Sequence, residues 1–129
     1  MTARVCVIGG GPAGLSAAIY LGGAGLHPTV YCGLTHASQL SMAPEIVNFP
    51  GIEKSTGTDI LRRMEAQAEK SGAYMADPSD VTCLKELQQG AWSVELDYDA
   101  AAPSVYDAVI VATGSNPRIP EIPGISDSV

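Results

Sequence analysis

The sequence lacks a long apolar run, an excess of positive charge and any paired cysteines, and each absence removes a class of function. No uninterrupted apolar stretch approaches the ~20 residues that a spanning helix needs, although 46% of the 129 residues are hydrophobic. Such a length and composition favour a globular chain of about one domain, too short for a second complete one. Only seven Lys and Arg stand against fourteen Asp and Glu, a net charge of −7. That balance opposes non-specific attraction to nucleic acid and to anionic membranes, so neither is an expected partner. Any phosphate would be held by backbone N–H groups more than by a basic patch. Cys6, Cys32 and Cys83 are far apart with no C-x-x-C pair, which argues against a disulfide framework and against a metal site. Buried or incidental thiols fit those spacings. There is neither an internal repeat nor a low-complexity segment. The opening "MTARVCVIGG" leaves no room for a charged and apolar leader before a cleavage site, so a cytoplasmic address is expected.

What is present begins with "VIGGGPAGLSAAIYLGGAG", residues 7 to 25. A β-branched stretch over residues 4–8 predicts a strand, and an alanine-rich segment over 12–22 predicts a helix. Pro12 suits the first helical turn, where its missing N–H would have no intrahelical partner, and Gly25 suits the stop. "PTVYC" at 28–32 reads as a second strand. Strand, helix and strand within about thirty residues make a right-handed βαβ unit with parallel strands. Between its first two elements, Gly9, Gly11 and Gly14 satisfy G-x-G-x-x-G. Gly9 permits the sharp turn, Gly11 lets a pyrophosphate approach the backbone, and Gly14 lets helix and strand pack closely. The helix start adds a partial positive charge and N–H donors. The strand-turn-helix context favours dinucleotide binding over a plain tight turn. The fingerprint also expects an acid about twenty residues on, at the end of the second strand, to hold a ribose hydroxyl. Cys32 stands there, and a thiol is a poor acceptor, so water or backbone would serve the ribose, or affinity would be reduced.

Residues 33–57 show no sustained period and read as an ordered, irregular connection. Over 58–71, Ile60, Met64 and Ala68 recur four apart with Leu61 beside them and Gly72 following, the pattern of an amphipathic helix with its cap. "VTCLKEL" and "WSVELDY" flank "QQGA" and predict an antiparallel hairpin or meander with Gly90 in a turn. "YDAVIVATG" predicts a buried parallel strand over 108–112. Prolines 117, 120 and 123 forbid regular structure beyond it, so residues 1–116 read as one domain and 117–129 as an extended connector.

Taken in order, these motifs resemble the N-terminal FAD-binding portion of low-molecular-weight thioredoxin reductases. "VIGGGPAGLSAAIYL" matches that family's FAD fingerprint, with Pro12, Ala13 and Gly14 in place. "QL" at 39–40 with Asn48 in "NFPG" resembles the segment "GGQL…ENFPG" along the flavin. "VIVATG" resembles the second flavin-contacting turn, and "NPRIPEIPG" the crossing into an NADPH-binding domain. The resemblance implies an α/β, Rossmann-like FAD-binding fold, incomplete in these residues: a parallel sheet with helices plus the antiparallel insertion. It implies that Gly9, Gly11 and Gly14 line the pyrophosphate, that Gln39, Leu40 and Asn48 sit near the isoalloxazine and ribityl chain, and that Ala112, Thr113 and Gly114 close over the cofactor. Gln and Asn carry both donors and acceptors, as the flavin edge requires. The alternatives are a solvated loop side chain for Gln39, an Asn48 bonded to its own turn, and an "ATG" that merely ends a strand.

Ala37 and Ser38 stand where the family carries Gly-Gly, and Val47 where it usually carries an acid. The family's dithiol motif, NADPH domain and closing segment do not occur among these residues, and without a cysteine pair there is no attacking and resolving thiol. Two functions fit. One is the FAD-binding part of a flavin-dependent disulfide reductase, not active as this chain alone, with NADPH, dithiol and a small thiol protein as acceptor engaged through residues or a chain not present, and with a homodimer possible. The other is a catalytically inactive nucleotide-binding or structural subunit whose open sheet edge a partner covers.

Overall fold

The structure, a computed structural model, describes residues 2–34, 38–76, 78–97, 103–116 and 118. The connector expected over 117–129 lies outside these residues except for Arg118, as does Ala37. The first βαβ unit forms as the glycine and proline pattern predicts: β1 (Val5–Ile8), α1 (Pro12–Gly23) and β2 (Thr29–Tyr31). Pro12 occupies the start of α1. The helix ends where Gly25, at φ +76, turns the chain and the Leu26 N–H donates back to Leu21 O at 3.0 Å, a left-handed stop that satisfies the last carbonyls.

Six further elements follow: α2 (Gly57–Lys70), β3 (Tyr74–Met75), β4 (Val81–Glu86), β5 (Trp92–Leu96), β6 (Ser104–Tyr106) and β7 (Ala108–Val111). Strands β3, β2, β1 and β7 lie side by side in that order, all parallel, and β4, β5 and β6 make a separate antiparallel sheet. In the amphipathic α2, Ile60 and Ala68 are buried and Leu61 and Met64 partly so, while Arg62, Arg63, Glu65 and Glu69 face solvent. The Thr56 hydroxyl caps its start by accepting from Asp59 N at 3.1 Å.

β1 is buried at all four positions because layers cover both of its faces. Side chains alternate along a strand, so Val7 points to one side and Cys6 and Ile8 to the other. Val7 joins Leu15, Ala18, Val30, Ala68 and Ala73 between sheet and helices. Cys6 and Ile8 join Tyr31, Val94 and Tyr106 between the two sheets. There the Tyr31 and Tyr106 hydroxyls share a hydrogen bond of 2.7 Å with their rings edge-on. The result is three layers, helices on parallel sheet on antiparallel sheet, and the carboxyl ends of β1, β2 and β7 are left at one rim.

Three elements go beyond the sequence reading: β3, β6 and a 3-10 turn over Gln39–Met42. Each is two to four residues long, too short for a period to register. Among the described residues no helix is long and apolar enough to cross a membrane, and no group of His, Cys, Asp and Glu could hold a metal ion.

Candidate functional site

The rim of the parallel sheet is fastened at its carboxyl ends. Gly9 N–H donates to Tyr31 O and Ala112 N–H to Ile8 O, both at 2.8 Å, which brings the ends of β2, β1 and β7 into one plane. The glycine turn crosses this plane into α1. Gly9 has φ +121, and a Cβ there would stand 2.1 Å from Ala112 O. At Gly14 a Cβ would stand 1.8 Å from Gly9 O and 3.2 Å from Val7 Cγ1. Both positions exclude any side chain through contact with backbone. Gly11 differs: it is the N-cap of α1 with an ordinary φ of −80, and a Cβ would make ordinary contacts with Ser38 Oγ at 3.4 Å and Ser38 Cβ at 3.9 Å. Gly11 also borders open space at the helix start, where the first N–H groups of α1 lack intrahelical acceptors.

That space is a cavity of about 300 Å³ lined by the glycine turn through Ala13, by Cys32, by Ser38, Gln39 and Leu40 of the 3-10 turn, and by residues 112–116 after β7. Among the described lining residues none is charged. Without a basic side chain among them, backbone N–H groups and the helix start are the donors suited to a pyrophosphate. The residues present suit that group on those grounds.

Two contacts position the 3-10 turn. The Ser38 hydroxyl accepts from Leu40 N at 3.3 Å, and Gly57, at the start of α2, lies so close that a Cβ would stand 1.6 Å from Leu40 O. Gly57 N–H also donates to Ala43 O at 3.0 Å. From this turn Gln39 reaches across and donates its Nε2 to Ser115 O at 3.0 Å. The tie spans the cavity from the 3-10 turn to the segment after β7.

Of the sequence-derived candidates, Gly9, Gly11, Pro12, Ala13, Cys32, Gln39, Leu40, Ala112, Thr113 and Gly114 line the cavity. Gly14 lies behind it, against Gly9 and Val7. Asn48 is exposed and is not among the lining residues. Its segment folds on itself through the Ile46–Ser55 and Phe49–Ile52 bridges, and Phe49 and Ile52 line a separate cavity with Ile19, Tyr20, Ile60 and Met64 of the two helices. Gly10, Ser115 and Asn116 also line the cavity, and sequence reasoning did not single them out. The third glycine of "GGG" was the available signal for Gly10, whose Cβ would stand 2.6 Å from Cys32 Sγ.

Cys32 is the only cysteine in the lining. Burial, and then the Glu65 carboxylate, raise its pKa, which keeps the thiol protonated and a weak nucleophile at neutral pH. A second cavity of about 280 Å³ adjoins the first, sharing Gly9, Cys32 and Thr113 with it, and is completed by Gly33, Ser79, Asp80 and Val81. Another cavity, about 870 Å³, lies at the opposite, amino end of the parallel strands, away from the glycine turn.

The family model for pyridine nucleotide-disulphide oxidoreductases matches residues 3–129. A thioredoxin reductase of Spironucleus barkhanus is 38% identical over 109 residues, covering 84% of this chain and 35% of that protein. One from Eremothecium gossypii is 34% identical over 128 residues, covering 94% of this chain and 40% of the relative. The solved thioredoxin reductase of Giardia duodenalis superposes with TM-score 0.82 at 32% identity, over 92% of this chain and 38% of that one. That of Lactococcus lactis gives 0.82 at 30%, over 95% and 39%. The chain thus spans well under half the length of the relatives it matches.

Proposed function

The chain belongs to the pyridine nucleotide-disulphide oxidoreductase family, and on that premise we propose that it is the FAD-binding portion of a thioredoxin reductase-like, NADPH-dependent disulfide oxidoreductase. The observation that carries the reading is the cavity at the start of α1, with no charged side chain among its described lining residues and with room for a Cβ at Gly11 but none at Gly9 or Gly14. A pyrophosphate held by backbone donors needs that combination. The N–H groups of the glycine turn and of Ala13 cradle the diphosphate. Gln39, Leu40, Ala112, Thr113 and Gly114 flank the flavin half, and the adjoining cavity beyond Cys32 takes the adenosine half. Bound flavin supplies hydride acceptance and electron transfer to a disulfide.

This chain's residues hold, orient and shield the cofactor. The raised pKa of Cys32 and the absence of a C-x-x-C pair leave the dithiol and the NADPH site to residues outside these 129. A small thiol protein is the acceptor that the relatives' printed names support. Residues 1–116 constitute the FAD-binding domain and 117–129 the link to the NADPH domain.

An absorption spectrum of the purified protein, with bound nucleotide released and identified by mass, tests the proposal. A flavin band with close to one FAD per chain is expected. A colourless protein that takes up no added FAD would overturn it.

A further inference from the structure

The second strand of a dinucleotide-binding unit ordinarily ends in an acid that accepts from the adenosine ribose. Here the place is held by Cys32, and a thiol is a weak acceptor. The fold nevertheless brings a carboxylate to that strand end from elsewhere. Asp80 lies between β3 and β4, and its Oδ1 accepts from Leu34 N at 2.8 Å. The same oxygen stands 3.0 Å from where a Cβ on Gly33 would lie, so the side chain fills space that a bulkier residue would claim. Asp80, Gly33 and Cys32 line one cavity of about 280 Å³ that opens beside the glycine turn. The Asp80 backbone is itself held, its N–H donating to Asp97 Oδ1 at 3.2 Å while Asp97 N–H donates to Asp80 O at 3.0 Å. The carboxylate is therefore aimed at the β2 end from a fixed base.

Resting on the FAD reading above, we propose that Asp80 is the ribose acceptor of this site, replacing the missing acid at position 32. An ionised carboxylate has about four acceptor positions, so bonding the Leu34 amide and accepting from a ribose hydroxyl are compatible. The same negative charge repels a 2′-phosphate, which makes Asp80 a specificity residue: it selects adenosine with a free 2′-hydroxyl, as in FAD, over the 2′-phosphorylated adenosine of NADPH.

The test uses three probes on the purified protein: FAD, ADP and 2′-deoxy-ADP. Hydrogen bonds to a charged group predict that wild type binds ADP at least about 10-fold more tightly than 2′-deoxy-ADP. Asp80→Asn, which keeps the Oδ1 contact with Leu34, narrows that ratio to within about 3-fold. Equal affinities in wild type, or a ratio that survives Asp80→Asn, would overturn the inference while FAD binding stands. Failure to bind FAD and ADP alike would overturn the FAD reading and this inference with it. If Asp80→Asn does not fold, the ¹³Cγ resonance of Asp80 in wild type decides. It should shift on adding ADP and hardly at all on adding 2′-deoxy-ADP, and the same response to both contradicts the assignment.

Discussion

Gly11 and Gly14 stand three residues apart in one turn and lack side chains for opposite reasons. A methyl group at Gly14 collides with the Gly9 carbonyl at 1.8 Å, so Gly14→Ala forces helix and strand apart. Overpacking of this kind costs about 1–3 kcal/mol, and loss of both stability and FAD binding is expected. At Gly11 the methyl finds an ordinary φ and only ordinary contacts with Ser38, Oγ at 3.4 Å and Cβ at 3.9 Å. Gly11→Ala should unfold in urea within about 0.5 kcal/mol of wild type yet lose FAD affinity, because its methyl enters the pyrophosphate space. These glycines were legible in the sequence because each answers a mechanical demand at a fixed offset. Asp80 was not, since nothing in its own segment signals that the chain will return it to the end of β2.

The core thiol carries a pH dependence that also belongs to the residue. Cys6 is fully buried, and burial pushes its pKa from 9.0 up to about 12. Above pH 9 the unfolded chain releases a proton that the folded chain retains, so the stabilisation present below that pH is lost as the pH rises toward 12. Stability measured by urea unfolding should fall between pH 9 and about pH 11 more steeply in wild type than in Cys6→Ala. Parallel slopes would show that the thiol plays no part. The Tyr31 hydroxyl, raised by burial and by its bond to Tyr106, adds a loss of the same sign in both proteins.

At the scale of elements, the site depends on α2 without α2 lining it. Gly57 is packed under Leu40 O, and Thr58 Oγ1 donates to Ser41 O at 3.3 Å, so the start of this helix sets the height of the 3-10 turn over the glycines. Gly57→Ala should displace that turn and weaken FAD binding from outside the cavity. Thr56→Ala removes the cap of the same helix and should cost ~1 kcal/mol of stability with FAD affinity kept within about 3-fold. Calorimetric titration and urea unfolding of the two variants check the contrast. The sequence exposed α1, α2, β1, β2, β4, β5 and β7 because each is long enough for periodicity, a glycine stop or an apolar run to mark it. It did not expose β3 or β6, which exist because longer neighbours offer them an edge. The placement of Asn48 was equally hidden: its loop closes through the Ile46–Ser55 and Phe49–Ile52 bridges, pairings no local pattern marks.

On the scale of the whole molecule, one layered body presents a single rim at which three strand ends, a helix start and the 3-10 turn converge. The chain corresponds to 35% and 40% of the length of two thioredoxin reductases. The net charge of −7 leaves a dianionic pyrophosphate to local geometry. In the proposed function the cavity bordered by Gly11 holds the pyrophosphate of FAD, and calorimetric titration of FAD into wild type and Gly11→Ala tests this. Saturable binding of one FAD per wild-type chain is expected, with at least a 10-fold loss in the variant and its stability preserved. Equal affinity in the two proteins, or no saturable binding by wild type, would contradict it.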